Sequence, residues 1–344
     1  MRALIAGVML ASVGAHAATV LRSPWDAVKV KVTYAAYACP AMEPVPSDLV
    51  MDGFYRLDDP THSIIDPVRQ AAYAKAAGPV KGDGLKIVAA ADAFRQTGSR
   101  SAALCVIHAA EELAKTNSMA GHMSSNQADY VQGWIAGQIA IDYLKVRGYG
   151  FSTANEDAAV GAWLKRIAEQ TKAYYAKPGR GDGNRNNHYY WAGIEVAAIG
   201  VMANDREDFD WGIATYKDGV GRIQPDGTLP LEMARGVRAL HYHLYSLAPL
   251  VLLAEFGEAN GMDMYSMDGG AIHRLVKTSV YGVIDPSLFV QKTGVKQESE
   301  TPLSGDPIGW APPYERRFPD PVLKAMIEKA GTLSVFYLGG LPPP

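Results

Sequence analysis

Residues 124–147 read SSNQADYVQGWIAGQIAIDYLKVR and run directly into Gly148-Tyr149-Gly150. Val131, Ile135 and Ile139 recur at every fourth position, the period of one helical face, and the glycines that follow are a helix stop. The same pattern extends in both directions from this stretch. Apolar residues return at helical spacing over blocks 67–78, 83–97, 101–116, 124–147, 155–176, 187–203, 206–220, 231–256, 268–283 and 320–330. Gly78-Pro79, Gly98, Pro178-Gly179, Asp226-Gly227 and Gly257 fall where helices should stop or turn. Strand signals are few, so the chain is predicted to be all-α. Helices joined by short turns pack as antiparallel hairpins, which makes a ring of hairpins around a central cleft the natural arrangement. The alternative is a solenoid of helix pairs, but no repeat of about 34 or 40 residues is present.

Ahead of the helices, Met1-Arg2, the apolar run Ala3–Val13 and Ala15-His16-Ala17 have the form of a signal peptide, residues 1–17, cleaved after Ala17. Residues 18–344 then form the mature chain, expected as a single domain with an N-terminal arm over 18–66. No later segment offers about 18 consecutive apolar residues, so no membrane span is expected and the location is periplasmic or secreted. In that oxidising setting two cysteines are expected to bridge, Cys39 to Cys105, pinning the arm to a helix. The net charge of −3 and a pI near 6.2 disfavour nucleic acid as a partner, so any acidic ligand must be met by a local basic cleft. Within the arm, Arg56–Asp66 lacks a core pattern and suits a flexible lid, while Lys177–Asn186 is a basic, glycine-rich loop entering a helix.

Two clusters could carry chemistry. Asn186-Asn187-His188-Tyr189-Tyr190-Trp191 opens a helix, with an asparagine as its cap and His188 and Trp191 on a shared face. In the second, Leu229–Tyr245, a continuous helix would align Arg235, Arg238, Tyr242 and Tyr245 as one polar, aromatic stripe. The bland alternatives are a satisfied core histidine and an exposed face with snorkelling arginines.

Together the clusters suit elimination beside a carboxylate. The C5 proton of a uronate is weakly acidic because the neighbouring ionised carboxylate opposes further negative charge. Amide, imidazole and guanidinium donors aimed at that carboxylate stabilise the enolate-like transition state, each contributing about 3 kcal/mol. A tyrosine beside them serves as base and acid, and nearby arginines are expected to lower its pKa. If base and acid work on one face of the sugar the tyrosine suffices; on opposite faces His188 is the second group.

Asn187-His188 with Tyr190-Trp191, Arg235, and Arg238-Ala239-Leu240 through Tyr242-His243 and Tyr245 resemble the alginate lyases of polysaccharide lyase family 5. The resemblance continues through Asp208-Phe209-Asp210-Trp211, Asn260-Gly261, Lys292-Thr293-Gly294 and Trp310–Tyr314. It implies an incomplete α/α toroid with a deep cleft for an anionic β-1,4-linked uronate polysaccharide. In it Asn187, His188 and Arg235 would neutralise the carboxylate and Tyr242 would be the catalytic base and acid. Arg238, Trp191, Tyr245, His241 and Tyr190 are expected to contact substrate. The family's lid carries a lysine beside a tyrosine, where this sequence reads Gly53-Phe54-Tyr55-Arg56, so Tyr55 with Arg56 is the expected lid contribution. That departure widens the expected substrates from polymannuronate to polyglucuronate or hyaluronan. No metal or other cofactor is expected, since His241 and His243 point to different helix faces, and the enzyme is expected to act as a monomer. Competing readings are a glycoside hydrolase drawing two carboxylates from Glu195, Glu232, Asp208 and Asp226, and a non-catalytic binder using Trp134, Trp191 and Trp310 as platforms.

Overall fold

A computed structural model describes residues 20–344, and the signal-peptide reading of 1–17 lies outside them. Among the described residues there are twelve α-helices and no strand, only isolated β-bridges. The helices are α1 (Pro67–Thr97), α2 (Arg100–Lys115), α3 (Asn126–Val146), α4 (Ala154–Ala176), α5 (Asn187–Ala203), α6 (Arg206–Gly221), α7 (Pro230–Met233), α8 (Ala239–Ala259), α9 (Met267–Ile284), α10 (Ser287–Thr293), α11 (Ala311–Arg317) and α12 (Pro321–Glu328).

Helix α5 is the hub. Its sequence is apolar on every side, so it has no face to give to water, and every residue from Tyr189 to Val201 is buried. It packs against α3, α4, α6 and α8. Two of these contacts are backbone-close because a glycine sits at the crossing. A Cβ on Gly137 of α3 would stand 2.9 Å from the Glu195 Cα, and one on Gly212 of α6 would stand 2.4 Å from the Gly193 carbonyl oxygen. The contacts α1–α3, α3–α5 and α5–α8 make an inner arc, with α2, α4, α6 and α9 behind it. This two-layered, incomplete α/α toroid is the architecture expected from the sequence.

Three expectations are corrected. Blocks 67–78 and 83–97 form one helix that runs through Pro79. The ring of Pro79 removes one backbone hydrogen bond, but Ala77, Val80, Ile87 and Phe94 bury a common side before and after it, and packing outweighs the lost bond. Block 231–256, in contrast, is broken. Gly236 adopts a left-handed φ of 56°, which leaves Arg235 in a connector, a 3-10 turn over Gly236–Arg238, and α8 starting only at Ala239. The lid is not a loose loop. Arg56 and Asp66 backbone N–H groups donate to Ile64 and Phe54 carbonyls, 2.9 Å each, and the Asp59 carboxylate accepts from Thr61, Ser63 and Ile64.

The arm is tied down by the Cys39–Cys105 disulfide, Cα–Cα 5.6 Å, which anchors it to α2. At the other end of the chain, the fully buried Lys145 pairs with Asp92 at 2.6 Å and donates to the Gly339 carbonyl, fixing the C-terminal segment that brings Tyr337 to the inner face.

Closing a loop of 66 residues, the disulfide restricts the unfolded chain by about 4 kcal/mol. Cys39→Ser is therefore expected to lower the thermal midpoint by the same amount as reductant does in the native protein; a midpoint indifferent to both would mean that packing alone holds the arm. Gly137→Ala is expected to cost about 1–3 kcal/mol by forcing α3 off α5, measured by denaturant unfolding, and a neutral result would contradict the close crossing.

Candidate active site

The inner arc encloses a cleft of about 840 Å³. Its walls come from the N-terminal portions of the inner helices: Arg69 and Tyr73 on α1, Tyr130 and Trp134 on α3, His188 on α5, and His241, Tyr242 and Tyr245 on α8. Helix N-termini carry partial positive charge, so the arrangement favours an anion before any side chain is counted. The side chains add to it. Arg56, Arg69, Lys81, Arg235 and Arg238 line the cleft, and no Asp or Glu is among the described lining residues.

Tyr242 is the buried focus, 6% exposed. Its hydroxyl lies 2.6 Å from the Tyr55 hydroxyl, and Arg238 Nη1 donates to Tyr55 at 2.6 Å. The Arg235 guanidinium stacks over the Tyr242 ring, 3.5 Å from its centre. Burial raises the Tyr242 pKa above the ordinary phenol value; Arg235 and Arg238 oppose the rise and Tyr55 adds to it. The lowering expected from the arginines is thus corrected, because desolvation of the buried phenolate outweighs the two cations beside it.

Arg235 also holds the lid. Its Nε donates to the Thr61 carbonyl at 2.9 Å, Nη2 donates to the His62 carbonyl, and its own carbonyl accepts from Ser63 Oγ at 2.7 Å. The lid therefore closes directly on this side chain. Arg56, expected at substrate, lines the cleft while paired with Asp58 at 2.6 Å.

His188 lies flat on Tyr130, ring centres 4.0 Å apart and planes 10° apart, with Trp134 stacked beyond. Burial, then Arg235, holds its pKa down to about 3, so the imidazole is neutral at working pH. Its neighbour Asn187 is 0% exposed. Asn187 donates to Glu232 through both its backbone N–H (2.7 Å) and Nδ2 (2.8 Å), which leaves it behind the cleft wall in this state. Glu232 thereby caps α5, and burial raises its carboxyl to about 7.

Tyr190 and Trp191, expected at substrate, are each 1% exposed and belong to the core. Lying deeper along α5 than His188, both are enclosed by neighbouring helices; Trp191 packs behind Tyr245, 4.9 Å between rings. His241 and Tyr245 do line the cleft, stacked at 6.1 Å, with His241 Nδ1 3.3 Å from Glu300. His243 is enclosed, accepting from the Leu229 N–H and bonded to the Ala239 carbonyl. Of the four carboxylates weighed for a hydrolase, Glu195 and Glu232 are buried off the cleft, Asp208 is bound to Lys172 at 2.6 Å, and Asp226 pairs with Lys292.

Sequence reasoning missed Arg69, Tyr73 and Lys81. They recur at helical spacing along α1, and Lys81 sits over the rings of Tyr73 and Tyr337 at 5.7 and 5.6 Å. Splitting α1 at Pro79 hid that stripe.

Comparison with known proteins agrees with this geometry. The Alginate lyase family matches residues 51–289. A polysaccharide lyase of Stenotrophomonas maltophilia is 37% identical over 286 residues, 82% of this chain and 83% of the relative. An alginate lyase of Pseudomonas syringae pv. syringae is 30% identical over 338 residues, 95% and 88% of the two chains. In fold, the chain resembles the solved alginate lyase A1-III complexed with tetrasaccharide, with a TM-score of 0.75 and 24% identity over 93% of this chain and 88% of that one. The chain belongs to the alginate lyase family of polysaccharide lyases.

Proposed function

We propose that this enzyme cleaves β-1,4-linked polyuronates, polymannuronate first among them, by β-elimination with Tyr242 as both base and acid. The observation that carries the proposal is a cleft lined by five cationic side chains and, among the described residues, by no carboxylate, with one buried phenol beside two of those cations. A polyanion is attracted to such a cleft, and a hydrolase would need two acids that its lining does not contain.

In this scheme a uronate carboxylate meets the free N–H groups of Arg235 and the imidazole of His188. Charge that develops on the carboxylate oxygens as C5 loses its proton is held by those donors. Tyr242 takes the C5 proton, the C5–H electron pair becomes the C4–C5 double bond, and the O4 bond breaks. The departing O4 takes a proton from the same tyrosine, which requires base and acid to act on one face of the sugar. Tyr55, itself bonded by Arg238, donates to the Tyr242 oxygen while it is ionised. Arg69 and Lys81 extend the cationic track to neighbouring sugar units, and Tyr73, Trp134 and Tyr337 offer stacking faces. Asn187, tied to Glu232, supports the start of α5 beside His188. The disulfide and the family membership support export to an oxidising compartment.

Absorbance of the unsaturated product is expected to rise when the enzyme acts on polymannuronate, with polyguluronate, polyglucuronate and hyaluronan ranking the tolerance at C5, at C2 and in linkage. Tyr242→Phe is expected to lower kcat at least about a hundredfold, the scale of a lost acid–base group, without loss of polymer binding. Reducing ends without absorbance would replace this reading with hydrolysis.

Because the Tyr242 pKa is raised in the free enzyme, the phenolate is a minority species at neutral pH. The value of kcat/KM is therefore expected to climb as pH increases from neutral into the alkaline range. A profile that falls across that interval would exclude Tyr242 as the base.

A further inference from the structure

A second, smaller cavity of about 20 Å³ adjoins the cleft at Tyr130, Trp134 and His188. His188, Ala192 and Glu195 border it from α5, at spacings of four and seven residues that share one helix face. Gly133 of α3 opens the space, since a Cβ there would fall 2.3 Å from Glu195 Oε2. Thr171 and Tyr175 close it from α4, and Thr171 Oγ1 donates to Glu195 Oε1 at 2.9 Å.

Two enclosed polar atoms at this cavity have no hydrogen-bond partner in the protein: His188 Nδ1 and the Tyr175 hydroxyl. A buried polar atom without a partner is destabilising, and a polar cavity needs only about 10–15 Å³ to hold one water. We propose that Glu195 and Tyr175 are positioning residues, which through one water in this cavity donate a hydrogen bond to His188 Nδ1 and so fix the imidazole with its proton on Nε2, facing the cleft. This rests on the reading of His188 as a carboxylate donor.

The chain of bonds balances. Glu195 is held protonated up to about pH 8 by burial, and its Oε2 donates to the water. One water hydrogen then goes to Nδ1, and Tyr175 takes up the remaining bond. A neutral imidazole carries a single proton, so a donor at Nδ1 places that proton on Nε2. His188 is thereby an electrophilic donor to the uronate carboxylate and has no free lone pair on the cleft side. It cannot be the base, which leaves that role to Tyr242.

The groups facing the cavity and His188 are Asp129 and Tyr130 on α3, Tyr174 and Tyr175 on α4, Glu195 on α5, and Arg235 across the cleft. Among them, Glu195 is the carboxyl whose titration is set near pH 8.

Enzyme labelled with nitrogen-15 at its histidines tests this without substrate, the His188 signals being assigned by their loss in His188→Gln. The expected two-bond correlation spectrum at neutral pH shows Nε2 protonated and Nδ1 bare, and the His188 shifts move as Glu195 ionises near pH 8 in wild type and stay still in Glu195→Gln. Glu195→Leu combined with Tyr175→Phe is expected to give a mixture of tautomers and about a tenfold fall in kcat, larger than the change in KM. A merely structural role would lower stability and leave the tautomer alone. A proton on Nδ1 in wild type, or the same alkaline shift in Glu195→Gln, overturns the proposal even if the double variant fails to fold. A wild-type enzyme without lyase activity would instead overturn the reading of the site and leave the tautomer result intact.

Discussion

The approach of α3 and α6 to α5 at backbone distance is the contact on which the rest of this molecule depends. A helix that is apolar on all sides has to be enclosed, and Gly137 and Gly212 let its neighbours come close enough to do so. Once α5 is central, α3 and α8 flank it, and the inner helices turn their N-terminal portions toward one cleft. His188 stands at the first turn of α5, where the enclosure ends and the ring can face both the cleft and the protein interior. The fold thus produces a positively polarised recess before arginine and lysine side chains add full charges to it.

Charge in the recess is arranged in layers. Cations face the cleft, while the buried carboxyls Glu195 and Glu232 stand one layer behind, where desolvation raises their pKa values to about 8 and about 7. A carboxylate placed at the surface of the cleft would repel a polyuronate; placed behind it, the same group orders an asparagine or an imidazole. Arg235 links the layers to the lid, because the guanidinium stacked on Tyr242 also donates to the carbonyls of Thr61 and His62. One side chain therefore both anchors the lid and supplies one of the two cations beside Tyr242.

The helical period of residues 124–147 and of the other long blocks was legible because one-sided burial imposes it. Pro79 misled because a single missing N–H is a small loss against apolar contacts on either side of it. Arg235 to Tyr245 looked like one helix, since nothing in the apolar pattern betrays the left-handed backbone of Gly236. Placement at the cleft was legible where unusual residue types cluster, as at His188, Arg235, Arg238 and Tyr242. It was not legible at Tyr190 and Trp191, because on a fully enclosed helix periodicity cannot say which aromatic meets the cleft. The pairing of Cys39 with Cys105 followed from their number, whereas the ordered lid and the Lys145 anchor depend on contacts distant in sequence.

The central claim is that a C–H bond at C5 is broken to break the chain. It is tested most directly by mass analysis of the fragments that the enzyme releases from polymannuronate carrying deuterium at C5. The account predicts that every new non-reducing end lacks that deuterium and has lost the elements of water relative to a hydrolysis product. New ends that retain deuterium and carry an added hydroxyl would contradict it.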